Sequence, residues 1–112
     1  NLKSTLVDNI IFAISMEGFL IIIDNHSGNI IRITDIFRQF KKKKRSRIKP
    51  VGFIVGSENI YLTTDHGRLM IIDIITGRTK SMLKIDNDKI SRPFVLNQNL
   101  YIIKENSIIR LN

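Results

Sequence analysis

The sequence predicts an all-β protein built from repeated antiparallel sheets, and three observations carry that expectation. First, the phrase Gly18-Phe-Leu-Ile-Ile-Ile-Asp-Asn-His-Ser-Gly28 returns as Gly67-Arg-Leu-Met-Ile-Ile-Asp-Ile-Ile-Thr-Gly77. Gly67 stands 49 residues after Gly18, as Asp73 does after Asp24 and Gly77 after Gly28. A degraded third copy, Asn99 to Leu111, puts Tyr101 40 residues after Tyr61 and Asn106 in the place of Gly67. Self-similarity at a period of about 40–50 residues marks a repeat architecture. Second, each copy reads as apolar run, turn, apolar run, turn. Period alone cannot tell such short Ile-rich runs from buried helix, but the glycine punctuation can. Third, Leu20 to Ile23 and Leu69 to Ile72 do not alternate, as befits strands covered on both faces. The expected arrangement is one sheet per repeat, stacked against its neighbours.

The elements follow in order. Residues 1–8 hold the end of one strand, leading to a turn at Asp8-Asn9. In the first repeat, residues 10–33, Gly18 supplies the positive φ that a hairpin or its bulge demands; Gly67 does the same in the second. Asp24 and Asp73 each lie four residues before a glycine. Their carboxylates are placed to accept the turn's amides, with Gly28 and Gly77 closing the turn in the left-handed region. A strand from Asn29 to Ile33 follows. The spacing between copies then changes from 49 to about 40, which assigns about nine extra residues to the stretch 34–49. There Ile33, Ile36, Phe37 and Phe40 have the spacing of one helix face, with Thr34 as N-cap. A strand end followed by a solvated loop is the open alternative. Pro50 opens the next sheet, Val51 to Val55 is a short strand, and Gly56 to Asn59 turns into the Ile60 strand. Arg92-Pro93-Phe94-Val95 echoes Lys49-Pro50-Val51, and Asn97-Gln98-Asn99 is the third unit's turn. The units are about 1–36, 50–86 and 91–112, with an insertion at 37–49.

The pattern Gly-x-Leu-x-x-Ile-Asp-x-x-Thr/Ser-Gly, preceded by an Ile-Phe or Ile-Tyr strand, resembles the pyrroloquinoline-quinone-type β-propeller repeat. Such repeats occur in quinoprotein dehydrogenases and in the propeller lipoprotein of the bacterial outer-membrane β-barrel assembly machinery. The resemblance covers two near-complete copies and a partial one. It implies a partial propeller of about two and a half antiparallel blades, short of the ~4–8 blades that close a ring. Two sheet edges would stay open for the remaining blades or for other copies. Because the chain starts without Met and stops inside a repeat, a fragment of a longer protein is expected. The family places a Trp four residues after the last glycine, where it docks one blade on the next. Those positions are Arg32 and Ser81, and the chain has no Trp, which counts against the catalytic branch. By resemblance alone, the expected location is the bacterial periplasm or cell envelope.

Composition narrows the partners. At 112 residues and 12.9 kDa the chain makes one domain at most. Its longest apolar stretch, Ile10 to Ile23, is broken by Ser15, Glu17 and Gly18 and is no membrane span. The absence of Cys excludes a disulfide scaffold and a Cys-based zinc site. The formal charge is +8. Arg38, Lys41, Lys42, Lys43, Lys44, Arg45, Arg47 and Lys49 account for all of it, because the other ten basic residues balance ten acids. This cluster suits an acidic protein surface or an anionic membrane. Nucleic acid is disfavoured: the aromatic side chains at hand for stacking, Phe37 and Phe40, read as packing inward. A mobile, hydrated loop kept soluble by its own repulsion is the expectation ranked ahead of both.

Nothing in the sequence specifies an active site. His26 and His66 fall in different turns and have no ligand partners at metal spacing. Asp24 and Asp73 recur at one repeat position, which suits turn capping better than general-base work. There is no phosphate-cradling loop, nucleophile elbow or paired-histidine zinc motif. The expectation is a non-enzymatic scaffold without a cofactor, binding another protein by strand addition or by its loops, with the basic insertion as contact. The competing expectation is part of a quinone-dependent dehydrogenase, with quinone and Ca²⁺ held at the axis of a full propeller.

Overall fold

The computed structural model describes residues 2–111, and they form two compact units, residues 1–50 and 51–112. In the first, β1 (Thr5–Val7), β2 (Ile10–Ile14), β3 (Phe19–Asp24) and β4 (Ile30–Asp35) make a four-stranded antiparallel meander. A single helical turn, α1 (Lys42–Arg45), follows. The second unit repeats the meander with β5 (Pro50–Val55), β6 (Asn59–Thr64), β7 (Arg68–Asp73) and β8 (Thr79–Lys84). It adds a three-stranded sheet, β9 (Phe94–Leu96), β10 (Asn99–Lys104) and β11 (Ser107–Arg110). The repetition reaches small details. The pairing of β3 with β4 shifts between Ile22 and Ile23, and that of β7 with β8 shifts between Ile71 and Ile72, 49 residues on.

Turn chemistry explains why these runs become hairpins. Gly18 (φ 89) and Gly67 (φ 70) lie in the left-handed region. Each is needed for space as well: a Cβ on Gly18 would strike the Phe37 ring, and one on Gly67 the Asp86 carbonyl. In the next turn, the Asp24 carboxylate accepts the His26 N–H (2.9 Å), while Gly28 N–H donates to the Asp24 carbonyl (2.8 Å). Asp73 accepts from Ile75 (2.8 Å) and Thr76 (3.0 Å), and Gly77 N–H donates to its carbonyl (2.8 Å). Gly28 and Gly77 both have φ 75. Two residues not anticipated from the sequence support the first turn of each repeat. Ser15 Oγ accepts the Phe19 N–H (3.1 Å); Thr64 Oγ1, 49 residues later, accepts from His66 and Arg68 (both 3.3 Å).

The core lies in the middle strands. Phe12, Ile14, Leu20 and Ile22 are buried on β2 and β3, and Ile60, Leu62, Leu69 and Ile72 on β6 and β7. Leu69, Ile90 and Ile102 form a cluster in the second unit, with Tyr61, Ile71 and Leu111 packed around it. The last strands of the four-stranded sheets are far more exposed, β8 along nearly its whole length.

Three expectations need correction. Of the two alternatives for this stretch, the helix over Ile33 to Phe40 is absent and the strand end is present: β4 runs on to Asp35, so Thr34 pairs with Leu20 inside a strand and caps nothing. A series of turns, begun by the Phe37 N–H donating to the Asp35 carboxylate (3.2 Å), brings Ile36, Phe37 and Phe40 inward instead. The helical turn falls on the basic run itself, where Lys and Arg are good helix formers. The strand expected over Asn29–Ile33 lies at Ile30–Asp35. Finally, Asn106 does not replace Gly67 in backbone role. The third hairpin has a two-residue turn between the paired Lys104 and Ser107, and Glu105 takes the positive φ (51).

Candidate interaction surface

The basic segment begins where β4 ends. Ile36 N–H donates to the Gly18 carbonyl (2.9 Å), fastening the chain to the β2–β3 turn. Phe37, fully buried, lays its ring against the bare Cα of Gly18. Phe40 meets Phe37 edge-on, with centroids 5.7 Å apart and planes at 62°. Lys44 Nζ sits 5.4 Å from the centroid of the Phe40 ring, so a cation covers its outer side. Ile48 is buried at the far end of the segment. Between these anchors, Arg45 N–H donates to the Lys41 carbonyl (2.9 Å) and Arg47 N–H to that of Lys44 (3.0 Å), closing α1.

Magnitudes decide whether such a segment is held. Burying one Phe or Ile stabilises by roughly 1.5–3 kcal/mol, and four are buried here. Two exposed like charges at 4 Å repel by about 1 kcal/mol in bulk water, and salt screens this further. The anchors win. Arg38, Lys41, Lys42, Lys43, Lys44, Arg47 and Lys49 are exposed on this backbone, while Arg45 is half-buried with its Nε enclosed. An open groove of about 450 Å³ runs beside them. Lys42, Arg45, Ser46 and Lys49 line it together with Phe19 and the carboxylates of Glu17 and Asp35. The groove is therefore of mixed charge, and the purely cationic surface is the outer side of α1.

The other residues singled out from the sequence are dispersed. Gly18, Asp24 and Gly28 hold turns of the first sheet, and Gly67, Asp73 and Gly77 hold those of the second. The Asp73 carboxyl is held below its ordinary pKa, chiefly by the Thr76 N–H and then by the Ile75 N–H and the charge of Lys80, with burial opposing. His66 Nδ1 lies 2.8 Å from Asp65 Oδ1 in an exposed turn. Among the described residues, no group of three His, Asp or Glu side chains is arranged to hold a metal ion. The second unit has a cleft of about 400 Å³ lined by uncharged residues, among them Tyr61, Leu69, Ile71, Leu100 and Leu111. No described helix is long and apolar enough to cross a membrane.

No family model matches the sequence, and no curated protein does. Solved structures do match in fold. BamB from Moraxella catarrhalis superposes with a TM-score of 0.70 at 14% identity, over 96% of this chain and 30% of that one. The β-propeller domain of Cps50 (Swd1) from Myceliophteria thermophila gives 0.69 at 16%, over 86% and 32%. Quinohemoprotein alcohol dehydrogenase from Comamonas testosteroni gives 0.66 at 20%, over 90% and 16%. The chain thus spans a third or less of each of these proteins. Its sheets are β-propeller blades.

Proposed function

We propose that these propeller blades act as a non-catalytic binding module that makes its contact with another protein through the basic segment, residues 38–49. One observation carries this reading: Ile36, Phe37, Phe40 and Ile48 anchor the segment, so its cations are displayed from a folded support. Displayed cations favour a partner with a complementary acidic surface. Phe37 and Phe40 are buried, which leaves Phe19, in the groove beside the cations, as the exposed ring near the segment, where binding to nucleic acid calls for successive stacking platforms. The repeat's resemblance to the propeller lipoprotein of the outer-membrane assembly machinery supports a setting in the bacterial envelope, and the fold shared with BamB and the Swd1 propeller domain supports the propeller architecture on which this module rests.

A photo-crosslinking residue at Lys43 of the protein tests this in its own cells. Protein adducts that vanish when the neighbouring Lys41, Lys42 and Lys44 are replaced by Gln, with the crosslinker kept at position 43, are expected. Adducts mainly to lipid or nucleic acid would overturn the reading, and recovery of the protein from the cytosol would overturn the envelope setting. The second reading, blades of a quinone-dependent dehydrogenase, draws on the likeness to quinohemoprotein alcohol dehydrogenase. It predicts dye reduction by the protein given quinone, Ca²⁺ and an alcohol; silence in that assay removes it.

A further inference from the structure

We infer that the partner binds as an extended strand along the outer edge of β4, with acidic residues at the end that meets α1. This rests on the reading of the chain as a protein-binding module and adds to it the form of the partner. β4 pairs with β3 and, among the described residues of its sheet, with no other strand. Its alternation can be placed. Ile36 N–H donates to the Gly18 carbonyl, so the backbone groups of Thr34 and Arg32 face β3, and those of Ile33 and Asp35 face outward. Ile30, Ile31 and Ile33 are 57%, 55% and 54% exposed. An exposed apolar edge is a template for pairing, and proteins usually blunt it with Lys or Pro. β8, the matching strand of the second sheet, carries Lys80 and Lys84, both exposed. β4 carries neither Lys nor Pro.

The charge next to this edge selects the occupant. Asp35, the last residue of β4, lines the same groove as Lys42, Arg45 and Lys49. A strand added to β4 therefore has one end beside three cations, which outnumber the two carboxylates of that groove, Glu17 and Asp35, and continue into the exposed Lys41, Lys43 and Lys44. A second copy of this chain would bring a second basic segment, and a net +8 on each copy opposes that pairing. An acidic partner is drawn in. Antiparallel pairs predominate, and in an antiparallel addition the partner's N-terminal end lies beside Asp35. Acidic residues should thus precede its alternating apolar run.

The probe is a fluorescein-labelled peptide with an acidic block followed by alternating Val and Thr, titrated into the 112-residue chain by anisotropy. Binding is expected to weaken roughly tenfold or more when alternate peptide amides are N-methylated, because backbone hydrogen bonds are lost. It should also weaken with salt and when the acidic block is moved to the C-terminus. In the protein, Ile33→Pro should have a similar effect, since an outward-facing N–H can be given up without breaking the β3 ladder. Equal binding of the N-methylated peptide would mean a charge contact without strand addition and would overturn the inference. So would binding only to phosphatidylglycerol vesicles, or a concentration-dependent dimer by light scattering that excludes the peptide. If the peptide fails while the Lys43 crosslinks persist, the strand model falls and the module reading stands.

Discussion

At the residue scale, the glycines allow a controlled comparison. Gly18 and Gly28 both have positive φ, but a Cβ at Gly28 meets nothing within 4 Å, whereas one at Gly18 strikes Phe37. Gly28→Ala should cost about 1–2 kcal/mol, the ordinary penalty of left-handed backbone. Gly18→Ala should cost more, by the amount needed to displace a buried ring, and urea unfolding of the two variants measures the difference. Asp73 gives a pH signature. Its folded pKa is depressed, so the stability it contributes is present above the unfolded carboxylate value and fades as pH falls through the lower folded value. The gap in urea midpoint between wild type and Asp73→Asn should therefore be widest near neutral pH and shrink once pH falls below about 4. A gap that does not change with pH would remove the carboxylate charge from the explanation.

At the scale of elements, the anchored segment and the sheet edges carry the predictions. Phe40→Ala removes the ring beneath Lys44 and the edge contact with Phe37. It should cost roughly 3–5 kcal/mol and open the Lys41–Arg47 run to trypsin at urea concentrations that leave the sheets folded. Cleavage that tracks global unfolding in both proteins would show that Phe40 does not restrain the segment. Ser81 pairs with Ile71, whose side chain lines the uncharged cleft of the second unit. Ser81→Trp should extend apolar cover over that cleft and raise stability by about 0.5–2 kcal/mol, read from the thermal midpoint. The turns and middle strands were legible because glycine and aspartate recur at fixed spacing, and turn geometry demands those residue types. Ser15 and Thr64 carried the same offset and went unread, since a hydroxyl at a strand end has many uses. The choice between helix and strand end at 33–40 stays open in the sequence for a physical reason. Successive turns bury Phe37 and Phe40 at the same spacing as a helix face, and the pattern of apolar residues does not separate the two. Open sheet edges were expected, but that β4 with its exposed Ile30, Ile31 and Ile33 is one of them follows only from the strand order of the sheet.

At the scale of the whole molecule, charge is concentrated and should be separable from folding. Replacing Lys41, Lys42, Lys43 and Lys44 by Gln takes the formal charge from +8 to +4. None of these side chains is buried, so the thermal midpoint should hold or rise slightly as self-repulsion falls. A collapse of the fold would mean that they carry structural weight beyond the Lys44 contact with Phe40. The anchoring of this surface has a further consequence. The Gly18 seat for Phe37, the Ile36 tether, the aromatic pair and Ile48 all belong to the first compact unit. The proposed contact surface is thus portable. A blade-for-blade graft of residues 2–49 onto an unrelated propeller should carry its binding preference with it, and a lineage that duplicates or shuffles blades could acquire or discard that preference in one step.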